Sequence, residues 1–117
     1  MAFDLDQLFV KSDLIPVIIQ EADTGEVLML GFTNREAVEL TLKTHTAWFW
    51  SRSRRELWNK GGTSGHYLHV KRMATDCDTD TLLYFCKPDG PTCHTGSRSC
   101  FFNTICLLYT SPSPRDT

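Results

Sequence analysis

No stretch of this chain approaches the roughly 20 consecutive apolar residues that span a bilayer. Its start carries neither the basic residues nor the apolar core of a secretory signal. Charge of one sign is equally scarce. Twelve basic against 14 acidic residues give a formal net charge of −2, which supplies no electrostatic footprint for nucleic acid or a membrane surface. No internal repeat or linker is visible, and the glycine-rich segment 61–65 lacks the spacing and the strand–loop–helix setting of a Walker loop. The five cysteines, at 77, 86, 93, 100 and 106, are odd in number and all lie in the second half. Without a secretory signal, that pattern fits metal binding or free thiols better than disulfides, so the chain reads as cytoplasmic. What remains is an ordinary globular composition, 41% hydrophobic and 22% charged over 117 residues. That length fits one domain, which buries roughly 65% of its unfolded surface.

The most informative segment is Asp76-Cys77-Asp78-Thr79-Asp80, followed by Cys93 and Cys100 in the Gly- and Pro-punctuated run 90–100. Carboxylate oxygens are hard ligands suited to magnesium, and thiolates are soft ligands that select zinc. Interleaving them points to two different metals close together. If residues 76–80 are extended, the three carboxylates share one face and Cys77 takes the other. Three cysteines without an obvious fourth ligand leave a tetrahedral position open, as catalytic rather than structural zinc sites do. The bland reading of the Asp run alone is a solvated polar turn.

The coarse secondary structure is mixed and β-rich. Segments 14–20 and 27–30 flank Asp23-Thr24-Gly25 and read as a hairpin. Thr33-Asn34-Arg35-Glu36 resembles a capping box opening a helix over about 34–43. Segments 47–50, 67–73 and 82–86 are further strand candidates. Cys86, inside the apolar run 82–86, reads as a buried core thiol. Trp48 and Trp50 read as core, whereas Trp58 beside the glycines fits either a core or a binding role. His45, His66 and His69 lack ligand spacing, and His69 is the first of them expected to line a site.

A second polar cluster joins Ser51-Arg52-Ser53-Arg54-Arg55 to Trp58-Asn59-Lys60-Gly61-Gly62-Thr63-Ser64-Gly65. Glycines permit close backbone approach, while hydroxyls, amides and Arg forks suit phosphate oxygens, so this segment fits an anionic substrate. A solvated basic turn is the plain alternative.

In order along the chain, Trp50-Ser51-Arg52-Ser53-Arg54, Leu57-Trp58-Asn59-Lys60-Gly61 with Thr63-Ser64-Gly65, the Asp76–Asp80 run, and Gly90-Pro91-Thr92-Cys93-His94-Thr95-Gly96 with Ser99-Cys100-Phe101 resemble the phosphoribosyl-AMP cyclohydrolase family of histidine biosynthesis. The likeness covers roughly residues 14–102, and the motifs show no departure. It implies an α+β fold, a compact, β-rich single domain with mostly antiparallel strands and one main helix, forming an intertwined homodimer with active sites at the interface. It implies hydrolysis of the adenine ring of 1-(5-phosphoribosyl)-AMP between nitrogen 1 and carbon 6, giving the imidazole carboxamide ribonucleotide. Zinc is carried over to Cys77, Cys93 and Cys100, with thiols from both partners, and magnesium to Asp76, Asp78 and Asp80. Zinc lowers the pKa of a bound water to roughly 7, so zinc-bound hydroxide is the expected nucleophile at carbon 6. His94 is the candidate acid/base at the leaving nitrogen, or else a residue that merely orients a ligand. Arg52, Arg54, Lys60, Thr63 and Ser64 are the candidates for the two phosphates.

Two other readings stay open on the residues themselves. One is a zinc-stabilised binding module, its site closed by Cys86 or His94 as fourth ligand, with no use for the Asp triad. The other is a zinc deaminase, against which stands the absence of the His-x-Glu … Pro-Cys-x-x-Cys pattern. The stretch 106–117 has no counterpart in the family pattern and resembles a translated frame of a transposase-type sequencing-library adaptor. The expected division is a domain over 1–105, its native C-terminus missing, and a non-native tail over 106–117. That leaves Cys106 out of the metal count and a fused pyrophosphohydrolase domain an open question.

Overall fold

In the computed structural model, residues 4–107 are described. The expected tail falls from residue 108 onward outside the described residues, while Cys106 and Leu107 are exposed. A 3-10 turn, Leu5–Phe9, precedes β1 (Ile15–Glu21), β2 (Val27–Thr33), α1 (Arg35–Thr44), β3 (Trp48–Ser51), β4 (Glu56–Asn59), β5 (Leu68–Thr75) and β6 (Leu82–Pro88). The strands form a four-stranded sheet in the order β2-β1-β6-β5 and a two-stranded sheet, β3-β4. Pairing is antiparallel except between β1 and β6. This is the α+β arrangement with mostly antiparallel strands and one main helix that the sequence led us to expect. No described helix is long and apolar enough to cross a membrane.

Strand β1 is central because its alternation buries Ile15, Val17 and Ile19 on one face. Pro16 is tolerated there because the pairing with β6 begins only at Val17, so no ladder bond to β6 is lost at position 16. The hairpin with β2 is as expected, though β2 continues to Thr33. The helix cap lies one residue later than the capping-box reading places it. Asn34 Oδ1 accepts from the Ala37 N–H at 2.9 Å, whereas Thr33 is buried and its hydroxyl donates to the Asn34 carbonyl. The helix stops at His45, whose left-handed conformation (φ 63°) turns its N–H back to the Thr41 carbonyl.

Strand β4 is new relative to the sequence reading, which left Glu56–Asn59 inside a polar loop. It forms because Phe49 pairs with Trp58 across a tight local hairpin, their ring centroids 5.5 Å apart. The core joins Leu8, Leu28, Val38, Phe49, Leu68 and Tyr84 to the β1 face. Cys86 is fully buried among them, and burial pushes its thiol up to about 12. It is a core residue, as expected.

For function, the decisive element is β6. It starts just after the Asp-rich turn and ends just before the loop bearing Cys93 and Cys100. Seven residues at about 3.3 Å each separate its ends by about 20 Å.

Candidate active site

Two loops build the site. The first, residues 60–66, leaves β4 and is held by N–H donation from Lys60 to the Ala47 carbonyl, Gly62 to Asn59, and Gly65 to Gly61. Gly61 has φ +99°, and a Cβ there would sit 2.6 Å from the Tyr67 backbone nitrogen and Cα. Only glycine permits this crossing of the chain. The second loop, 89–100, folds on itself through the Thr92 N–H to the Arg98 carbonyl and the Cys93 N–H to the Ser97 carbonyl. It is stapled to β2 where Ser99 Oγ donates to the Val27 carbonyl and the Cys100 N–H donates to the Leu28 carbonyl at 2.7 Å.

Between these loops lies a cavity of about 310 Å³. Lys60, Thr63, Ser64, Cys93 and His94, all singled out from the sequence, line it together. Trp58 and His66 line it as well. His66, not His69, is the histidine of that group at the cavity. A Cβ on Gly90 would come within 2.8 Å of the His66 ring, so a bare glycine lets the ring lie against the second loop. His69 is instead paired with Asp89, Nε2 to Oδ2 at 2.8 Å. The available signal for His66 was its place at the end of the Gly/Thr/Ser run. Thr92, also on the cavity wall, buries its hydroxyl oxygen without a hydrogen-bond partner among the described residues, an unmet demand that a ligand or water would satisfy.

Cys93 is only 8% exposed, and its thiol is held below the ordinary range. The main cause is the Thr95 hydroxyl, which donates to its sulfur at 3.1 Å, with smaller help from Cys100 and the Lys60 charge. Cys100 is pushed the other way, first by desolvation and then by Cys93 beside it. Two adjacent thiols, one favouring the thiolate, are a soft donor pair of the kind zinc takes.

The Asp-rich segment differs from the extended geometry considered above. Residues 76–80 form the turn between β5 and β6, with Thr79 left-handed (φ 56°). Asp76 causes this, its Oδ1 accepting from the N–H groups of Asp80 (3.1 Å) and Thr81 (3.2 Å). The turn nevertheless gathers the carboxylates, and ligand oxygens of Asp76, Asp78 and Asp80 lie within 4.8 Å of one another. A cation already sits there: Lys11 Nζ is 3.2 Å from Asp78 Oδ2 and 3.2 Å from Asp80 Oδ2. A hard, all-oxygen set that attracts an ammonium fits magnesium.

Cys77 occupies the same turn and is exposed. It therefore stands at the opposite end of β6 from Cys93 and Cys100, and the Asp triad is the one group of three ligand-type side chains this close among the described residues. Arg52 and Arg54 lie on the β3–β4 turn rather than on the cavity wall. The Arg52 guanidinium stacks 3.8 Å over the Phe32 ring, and Arg54 pairs with Glu56 at 3.5 Å. A larger open groove of about 670 Å³ between α1 and β5, lined by His45 and His69, contains none of the expected metal ligands.

The family model for phosphoribosyl-AMP cyclohydrolase matches residues 29–102. A phosphoribosyl-AMP cyclohydrolase of Clostridium botulinum is 60% identical over 94 residues, covering 80% of this chain and 86% of its own length. That of Streptococcus mutans is 55% identical over 95 residues (81% and 87%), and that of Cenarchaeum symbiosum 52% over 92 residues (79% and 85%).

Proposed function

The chain belongs to the phosphoribosyl-AMP cyclohydrolase family, and from that membership we propose how its residues carry out the reaction. It is an enzyme of histidine biosynthesis acting on a small molecule, phosphoribosyl-AMP. That membership sets aside the binding-module and deaminase readings. The bond broken in our reading is that between nitrogen 1 and carbon 6 of the adenine ring. Water oxygen becomes the carboxamide oxygen at carbon 6, and nitrogen 1 leaves with a proton as part of the formimino arm. The observation that carries this reading is the convergence of Cys93, His94, Lys60, Thr63 and Ser64 on one cavity.

Zinc would be held by Cys93 and Cys100 with the partner subunit's Cys77, and magnesium by Asp76, Asp78 and Asp80. When bound, zinc supplies a Lewis acid that lowers the pKa of a water to roughly 7, making a hydroxide nucleophile for carbon 6. When bound, magnesium supplies charge neutralisation for phosphate oxygens. The remaining work falls to the chain. Lys60 gives a point charge and Thr63 and Ser64 give hydroxyls to phosphate oxygens, with Arg52 and Arg54 proposed for the second phosphate. His94, exposed at the cavity mouth, would deliver the proton to nitrogen 1 as the ring opens. The cytoplasm is the compartment we assign.

A homodimer would reconcile this ligand set with the distance between its members. The thiol pair and Cys77 lie at opposite ends of β6, so a two-fold, antiparallel partner would lay its Asp-rich turn over this chain's cavity. Mixing two inactive variants, Cys77→Ala and Cys93→Ala, tests this. A heterodimer then holds one intact site and one doubly defective one. With random exchange, turnover of phosphoribosyl-AMP should recover to about a quarter of wild type. Exchange demonstrated by mass, with one variant labelled with nitrogen-15, without any recovery would mean that each site is built within one chain.

A further inference from the structure

The acidic triad is not presented bare to solvent. We propose that Lys11 is the built-in counter-ion of this triad, and that a divalent cation reaches the carboxylates only by displacing it. The proposal rests on the reading of the triad as a cation site.

Lys11 comes from a segment 67 and 69 residues away in sequence from its two carboxylate partners, so the contact is tertiary rather than a by-product of the turn. Its position is fixed at both ends. Leu8 is buried in the core before it, and Ile15 after it opens β1, both at most 2% exposed. Between them Ser12 closes a local turn, its hydroxyl bonded to both the backbone N–H and the carbonyl of Leu14. The division of labour among the acids is equally specific. Asp76 Oδ1 is committed to two backbone N–H groups that shape the turn. Asp78 and Asp80, the acids with more freedom to ligate, are the two that the ammonium bridges. The ammonium is a compact, strongly hydrated point charge with three donors, and it neutralises one of three negative charges where a divalent ion neutralises two. Within the single chain both ion pairs reach solvent, with side-chain exposures of 57% for Lys11, 54% for Asp78 and 33% for Asp80. Such pairs are weak and screened by salt, which makes Lys11 a displaceable plug rather than a lock. The cost of moving it lowers the triad's apparent affinity for every cation, so that a monovalent ion gains little by entering.

The test compares Mn²⁺ binding to the full-length wild type and Lys11→Met, read by electron paramagnetic resonance of free manganese with the thiol site preloaded with zinc. The variant should bind Mn²⁺ about threefold to tenfold more tightly at low salt. In the wild type, Mn²⁺ should raise the acetylation rate of Lys11, followed by mass spectrometry, and leave exposed Lys43 unchanged. This second arm decides the question if Lys11→Met does not fold. Mn²⁺ bound with equal affinity by both proteins, or with Lys11 acetylation unmoved, would overturn the role of Lys11 while leaving the cation site standing. Absence of Mn²⁺ binding to either protein would remove the cation reading and the proposal with it.

Discussion

Cys93→Ala is expected to lose tightly held zinc and ring-opening turnover together, while the protein stays folded. The two losses are linked because, in the proposed reading, the Cys93 sulfur is a zinc ligand. It is almost buried, held by the Thr95 hydroxyl and adjacent to Cys100, and these contacts favour the charged form that a metal binds. Changing a residue that only hydrogen-bonds to a zinc ligand costs about 10- to 100-fold. Loss of a ligand itself should therefore cost more than about 100-fold in turnover. The fold should survive because the loop is tied by backbone bonds that do not involve this side chain, from Cys93 N–H to Ser97 and from Thr92 N–H to Arg98. Zinc content by atomic absorption, circular dichroism and turnover on the same preparation check the prediction. Full zinc occupancy with wild-type turnover would take Cys93 out of the chemistry.

Gly61→Ala should be the most damaging single methyl group in the loop around the cavity. Its backbone is at φ +99°, a conformation costing an L residue about 1–2 kcal/mol. The new Cβ would also lie 2.6 Å from backbone atoms of Tyr67, which cannot swing aside as a side-chain tip can. Overpacking of this kind adds about 1–3 kcal/mol. At about 4–8 °C per kcal/mol for a domain of this size, the melting temperature should fall by about 10 °C or more. Gly65→Ala is the internal comparison. It shares a positive φ (+83°) but has nothing within 4 Å of a built Cβ, so it should show the backbone cost alone. Equal melting temperatures for the two variants would mean that the approach of residues 61 and 67 is not as tight as described.

The parts legible from sequence are those set by local pattern. Alternating Ile15, Val17 and Ile19 mark a central strand, Asp23-Thr24-Gly25 marks its turn, and the run of apolar residues around Cys86 marks a buried strand. Strand β4 was hidden because its residues are polar on average and its pairing depends on one aromatic contact, Phe49 with Trp58. The acidic run is instructive in another way. Alternation suggested an extended segment, yet Asp76 spends its side chain on two backbone N–H groups and makes a turn. The carboxylates converge through that turn rather than through strand periodicity. The sequence reading grouped Cys77, Cys93 and Cys100 as one set, but the place of Cys77 depends on which end of β6 each loop leaves, which no local pattern records. Long-range contacts were equally silent. Lys11 on the acids, and Arg52 turned onto Phe32, join residues far apart in the chain.

The most direct measurement is turnover of phosphoribosyl-AMP by the purified protein, followed by the ultraviolet absorbance of the opened ring, with and without a zinc chelator. A cavity built around Cys93, His94 and Lys60 predicts ring opening that the chelator abolishes and added zinc restores. Undiminished turnover by protein verified to be zinc-free, or none from a folded, zinc-loaded dimer, would contradict it.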